Sequence, residues 1–149
     1  MQHKWDDATL DMRRKRRRAM VTRVLDAADH LPPDERQLLL AVYGRGMAVS
    51  EAAALLGTNE RQMRRRVRAL VRRVTDPAFE AAVRLGPQLP RQIAQVARLT
   101  AVEGLTMRQA AQRLGVSYHC VRKSRDGFRA LAEAAGMLQA KRSNPGSAA

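Results

Sequence analysis

Arg61, Arg64, Arg65, Arg68 and Arg72 recur at intervals of three and four, so on an α-helix their guanidinium groups share one face. Met63, Val67, Leu70, Val71 and Val74 fall on the other face, giving one segment an apolar side to bury and a cationic side to present. A guanidinium is a planar fork of N–H donors that grips phosphate oxygens or pairs bidentately with a guanine edge. Five on one face favour backbone grip over base discrimination. Asn59 and Gln62, at the start of the same segment, add amides able to reach a base or a phosphate. A second set is chemically varied: Ser117, Tyr118, His119, Arg122 and Lys123 crowd the start of another expected helix, and that variety suits choice between base pairs. A third is the densest basic tract of the chain, Arg13, Arg14, Lys15, Arg16, Arg17 and Arg18, expected to contact phosphates.

The elements that must position these groups are read from an internal repeat. Leu31 falls on Leu89, a shift of 58 positions (89 − 31), and the register holds without a gap through the next three dozen residues. Leu31/Leu89, Pro32/Pro90, Gln37/Gln95, Gly46/Gly104, Ala52/Ala110, Ala53/Ala111, Leu56/Leu114, Gly57/Gly115 and Arg64/Arg122 are identical pairs. Each copy reads as three helices. In the first, Pro32 and Pro33 start a helix of about 33–44 that carries Leu38, Leu39 and Val42 inward and stops at Gly44 and Gly46. A short helix of about 49–56 ends at Gly57, and Asn59 caps a third running to about residue 74. The second copy repeats this from Pro90 through Gly104, Gly115 and the cap Ser117 to a last helix from Tyr118. Asp76-Pro77 starts a connecting helix of about 77–84 that is free to pack on either copy.

A helix-turn-helix needs a small residue inside its first helix, so that the second can cross closely. It also needs a glycine in the turn and an apolar residue early in the second helix. Ala53, Gly57 and Met63 meet this specification, and Ala111, Gly115 and Val121 repeat it at the same spacings. Leu56 and Leu114 are expected as buried leucines just before each turn. One such pattern is a moderate signal; two in register within one repeat are a strong one. Arg125 replaces the apolar Val67 of the first copy and Gly127 interrupts the pattern, so the last helix is expected to bend or to be shorter there.

Composition agrees with a polyanion partner. In 149 residues, 28 Lys and Arg stand against 14 Asp and Glu, a formal net charge of +14. Aromatics are only 3% of residues, so the core must be Ala, Leu, Val and Met packed between helices. Cys120 is the single cysteine and His3, His30 and His119 are scattered, which excludes a disulfide within the chain and a thiolate zinc site; no metal or cofactor is expected. The acidic pairs Asp6-Asp7 and Asp34-Glu35 are chain neighbours and do not face each other on a helix, so no enzyme is expected. No apolar run is long enough to span a bilayer, and no apolar signal core follows the basic tract; a cytoplasmic, nucleoid-associated protein with no membrane partner is expected.

From Leu31 to about Val74, the runs Leu-Pro-Pro-Asp-Glu-Arg, Ser-Glu-Ala-Ala-Ala-Leu-Leu-Gly-Thr-Asn and Met-Arg-Arg-Arg-Val-Arg-Ala-Leu resemble region four of extracytoplasmic-function sigma factors. The stretch from Gly104 to Ser117 is similar in the same style. The resemblance implies a helix-turn-helix that reads a promoter element and a connection to RNA polymerase. Residues 1–30 lack the aromatic-rich region two that melts promoters, so a working sigma factor is not expected.

The reading is therefore an all-α chain of two tandem three-helix helix-turn-helix units behind a basic N-terminal helix. Its divisions are 1–30 for the basic arm, 31–75 for unit one, 76–136 for the connecting helix and unit two, and 137–149 for a flexible tail. The arm is expected as a helix of about 8–28 with Leu10, Met20, Val21, Val24 and Leu25 on its inner side, able to pair two copies as a homodimer. The expected partner is double-stranded DNA, in a transcription regulator. A sigma-like module binding RNA polymerase or a sigma or anti-sigma partner, and a phage or plasmid packaging or recombination accessory protein, are the alternatives.

Overall fold

The computed structural model describes residues 3–139, with side chains from residue 8 onward; most of the tail expected over 137–149 lies outside the described residues. The described residues form eight α-helices and no strand. The chain divides into two compact units between Thr75 and Asp76.

The first unit contains α1 (His3–Ala28), α2 (Pro33–Leu39), α3 (Val49–Leu55) and α4 (Glu60–Val74). Proline opens α2, with Asp34 and Glu35 in its first turn, where carboxylates complement the positive end of the helix dipole. The helix expected to reach residue 44 instead widens after Leu39 into a π-helical turn, Leu40–Gly44. The Arg45 N–H donates to the Leu40 carbonyl at 3.0 Å and the Met47 N–H to the Ala41 carbonyl at 3.0 Å. Gly46, at φ +70°, makes that reach possible, because an L side chain would be strained there. Leu39, Met63 and Val24 are the largest fully buried side chains of this unit, with Ala52 and Ala53 beneath α4.

The second unit contains α5 (Pro77–Leu85), α6 (Arg91–Ala97), α7 (Met107–Leu114) and α8 (Tyr118–Ala134). The π turn recurs at Arg98–Val102, with Glu103 N–H to Arg98 carbonyl and Leu105 N–H to Leu99 carbonyl both at 2.9 Å and Gly104 at φ +73°. The duplication is thus preserved down to an irregular turn. Val96, Leu99, Ala110, Ala111 and Val121 form the core, flanked by Leu105, Met107, Leu114 and Val116. The connecting helix α5 is capped by Asp76, whose Oδ1 accepts from the Ala78 N–H at 2.8 Å, and packs on α8 and the π turn of its own unit. The last turns of α1 do the same in the first unit, touching α4 and its π turn. Each unit therefore holds a fourth helix in front of the three expected.

Three expectations are corrected by packing. Leu56 is 58% exposed and Leu114 only partly buried, because α3 and α7 need nothing larger than their paired alanines beneath the next helix. Helix α8 runs unbroken for 17 residues, against 15 for α4. Ser124 takes the inward position that Val67 holds in α4, leaving Arg125 outside, and Gly127 lies against α6, where an added Cβ would stand 3.2 Å from Ile93 Cδ1. The glycine is a close-approach residue in a continuous helix. Finally, Leu10 and Met20 of α1 are exposed, and among its described side chains α1 buries only Val24 and Ala28.

Candidate nucleic-acid interface

Both turns are built by the same local bonds. At the first, the Thr58 N–H donates to the Ala53 carbonyl at 3.0 Å and the Gly57 N–H to the Ala54 carbonyl at 3.3 Å, with Gly57 at φ +63°. At the second, Val116 N–H to Ala111 and Gly115 N–H to Gln112 measure 3.1 and 3.4 Å, with Gly115 at φ +65°. This pair of bonds closes a helix around a left-handed glycine and satisfies carbonyls that would otherwise be orphaned. Each following helix is then started by a side-chain cap. Asn59 Oδ1 accepts from the Gln62 N–H at 2.8 Å and Ser117 Oγ from the Cys120 N–H at 3.2 Å.

In α4, Met63, Val67, Leu70 and Val74 are buried, while Asn59, Arg61, Gln62, Arg64, Arg65 and Arg68 are exposed together on the outer face. The helix is held at its far end by an ion pair between Arg73 and Glu35 of α2, both largely withdrawn from solvent. Two contacts that sequence reasoning missed act on the outer face itself. Glu60 pairs with Arg64 one turn on, and Thr58 Oγ1 lies 2.8 Å from Gln62 Oε1 as its hydroxyl donor. The first was readable from the four-residue spacing. The second depends on the turn bringing Thr58 back over the helix start.

In α8, Val121, Ser124, Phe128 and Ala132 point inward. Ser117, Tyr118, His119, Arg122 and Lys123 are exposed, with Tyr118 at 45%. Cys120 is half-buried and accepts from Gln92 Nε2 at 2.7 Å, tying the start of α8 to α6. Arg125, turned outward by the shift in packing, joins this surface with its guanidinium 3.5 Å from Met107 Sδ. Arg13, Arg14, Arg16 and Arg17 are exposed on α1, within the first unit. All fifteen expected contact residues thus lie on the surface. They form three groups on α1, α4 and α8, and each of the last two sits at the start of a helix that follows a glycine turn.

These two capped helices behind turns closed by equivalent bonds decide the class, and comparison with known families gives the same result. Residues 13–73 match the family described as Sigma-70, region 4, and residues 88–138 match the Homeodomain-like domain. The chain is a tandem helix-turn-helix protein. Both of its modules are of the DNA-binding kind, so DNA binding is the general role of this tandem helix-turn-helix protein. No curated protein and no solved structure matches it significantly. Among the described residues no helix is long and apolar enough to cross a membrane.

Sequence reasoning also missed an apolar groove on the first unit, between α2, its π turn and α3. Leu31, Leu38, Met47, Leu55 and Leu56 supply its apolar lining and Asp34, Arg36, Gln37, Arg45 and Arg66 its polar lining, and Leu55 is 73% exposed. At 100° per residue, Arg66 stands about 140° around α4 from Arg61, so the groove and the arginine face look in different directions. In the second unit the positions of Leu40 and Leu55 are taken by Arg98 and Arg113. A double leucine at the end of a short helix reads as core until the packing is known.

Proposed function

We propose that this protein is a sequence-specific regulator of transcription that binds double-stranded DNA through both helix-turn-helix units. The observation that carries the reading is the presence of two exposed, capped helix starts behind identical turns, each carrying groups able to reach a groove floor or its phosphates. In this reading α4 enters a major groove with Arg61, Arg64, Arg65 and Arg68 mainly on phosphates, and Asn59 and Gln62 near its start. Helix α8 supplies choice, with Ser117, Tyr118, His119, Arg122 and Lys123 at base edges. The arginines of α1 add phosphate contacts.

Footprinting on duplexes selected from a random library tests this, with two protected half-sites expected about one helical turn, 34 Å, or a multiple of it apart. A single half-site would remove the tandem-reader idea. Retention on duplex should fall steeply with salt, by about 0.9 in log K per log salt for each neutralised phosphate.

A second reading, a sigma-like module that docks on RNA polymerase, is supported by the apolar groove of the region 4 unit. Binding of nuclease-treated protein to purified polymerase tests it. Leu56→Glu is expected to abolish that binding while leaving duplex affinity unchanged, since the groove and the arginine face point apart.

A further inference from the structure

Helix α1 is much longer than the fold requires. Its last turns pack as α5 does in the second unit, but α5 begins at Pro77 with an Asp76 cap, whereas α1 continues toward the N-terminus. Side chains 8–20 of that extension are exposed on every side. Thirteen residues at 1.5 Å each make a rod of about 20 Å standing off the core.

The rod is cationic all the way round. Counting 100° per residue from Arg13, Arg17 lies at about 40°, Arg14 at 100°, Arg18 at 140°, Lys15 at 200° and Arg16 at 300°. The five arginines on the outer face of α4 span only about 100° by the same count. A stripe suits an approach from one side; a ring is matched only where anions stand on several sides. Lipid does not provide that, because an interfacial helix needs an apolar face: Leu10 and Met20, at about 60° and 340°, have Arg13 and Arg17 between them, and Met12 stands apart at about 260°. The same arrangement leaves no apolar seam for pairing with a second copy.

A major groove about 12 Å wide, walled by phosphates of both strands, admits a helix of about 10–12 Å, whereas a minor groove of about 6 Å does not. We propose that residues 13–18 seat as a helix in a major groove of the bound duplex, with phosphates of both strands flanking the ring of charge. This makes α1 a third groove-inserted element beside α4 and α8, and it rests on the DNA-binding reading above. Arg13/Arg17 and Arg14/Arg18 are like-charged pairs one turn apart, a repulsion that flanking phosphates relieve.

The test divides the ring. In the full chain, Arg13→Gln, Arg14→Gln and Arg17→Gln together remove one side, and Lys15→Gln, Arg16→Gln and Arg18→Gln together remove the other. Glutamine has nearly the helix propensity of arginine and these residues pack on nothing, so far-ultraviolet circular dichroism should be unchanged. The salt slope of duplex binding is expected to fall by up to about 2.7 for each triple variant, three contacts at about 0.9 each. Both variants should also lose one patch of guanine N7 protection from dimethyl sulfate, outside the patches that depend on α4 and α8. A slope change in only one triple would mean a helix lying on a single backbone and would overturn the proposal. So would a loss of slope in both without arm-dependent N7 protection, or unchanged slopes while the other patches persist. Absence of any duplex binding by the unaltered chain would instead remove the reading on which the proposal rests.

Discussion

The two units carry the same glycine turns and π turns, and each caps its last helix with a side chain, but they differ in what those last helices bury and present. Helix α4 buries Met63, Val67, Leu70 and Val74, spaced four, three and four. Helix α8 buries Val121, Ser124, Phe128 and Ala132, spaced three, four and four. One inward position has moved by a single residue, about 100° of helix. That move withdraws a serine and turns Arg125 to the surface. The first unit keeps a strong apolar stripe, an arginine-rich outer face and an open groove with exposed leucines. The second has a weaker stripe, a mixed outer face and arginines where the groove leucines would be. Duplicated frames can thus be given different outer faces by side chains alone, while the glycine turns that join their helices stay constant.

The sharpest way to break the comparison is to damage one core. Met63→Ala removes a fully buried side chain under α4 and is expected to cost about 2–5 kcal/mol. Calorimetry should show a destabilised transition for the first unit, while chemical shifts around Val121 stay in place; an equal loss in both units would show that they fold as one body. Next in size is the division of labour. Arg64→Ala with Arg65→Ala should weaken binding to all duplexes and lower the salt slope by about 1.8, two phosphates at about 0.9 each. His119→Ala should leave the slope alone and change preference between sites by about 1–3 kcal/mol, measured by competition among selected duplexes. Identical effects on specific and non-specific binding would end the distinction.

The shared joints give smaller, equal effects. Asn59→Ala and Ser117→Ala each remove a cap and should each cost about 1 kcal/mol in urea titrations, local to α4 and α8 respectively. The smallest prediction probes the tight contact that only the second unit has. In an Ile93→Val background, which deletes the Cδ1 atom facing Gly127, Gly127→Ala should stabilise by about 0.5–1 kcal/mol through helix propensity. A loss of stability there would mean that backbone, and not Ile93, sets the approach of α6 to α8.

Much of the fold was legible because it is decided within a few residues of the chain. Asn59 and Ser117 cap the amides three residues on, Gly57 and Gly115 adopt the positive φ that the turns need, and the arginine face of α4 follows from helical period alone. The exposed candidates for contact could be named for the same reason, since exposure on a helix is the complement of a regular buried stripe. Where the stripe is irregular, sequence misleads: Arg125 and Gly127 look like interruptions of the helix, yet Ser124 restores the packing. The expected burial of Leu56 rests on hydrophobicity alone, which says that a side chain favours burial but not that a neighbour is there to bury it.

What the residues determined unaided was the set of short-range bonds and periodicities: helix starts, glycine turns, a repeat and a cationic face. Tertiary structure decided which side chains find a partner: that α5 packs into the second unit, that a groove stays open beside α3, and that α1 leaves its basic tract free of the core. The reason is one of range. Backbone hydrogen bonds and helical spacing act over about four residues, whereas burial depends on what other segments bring to the same place in space.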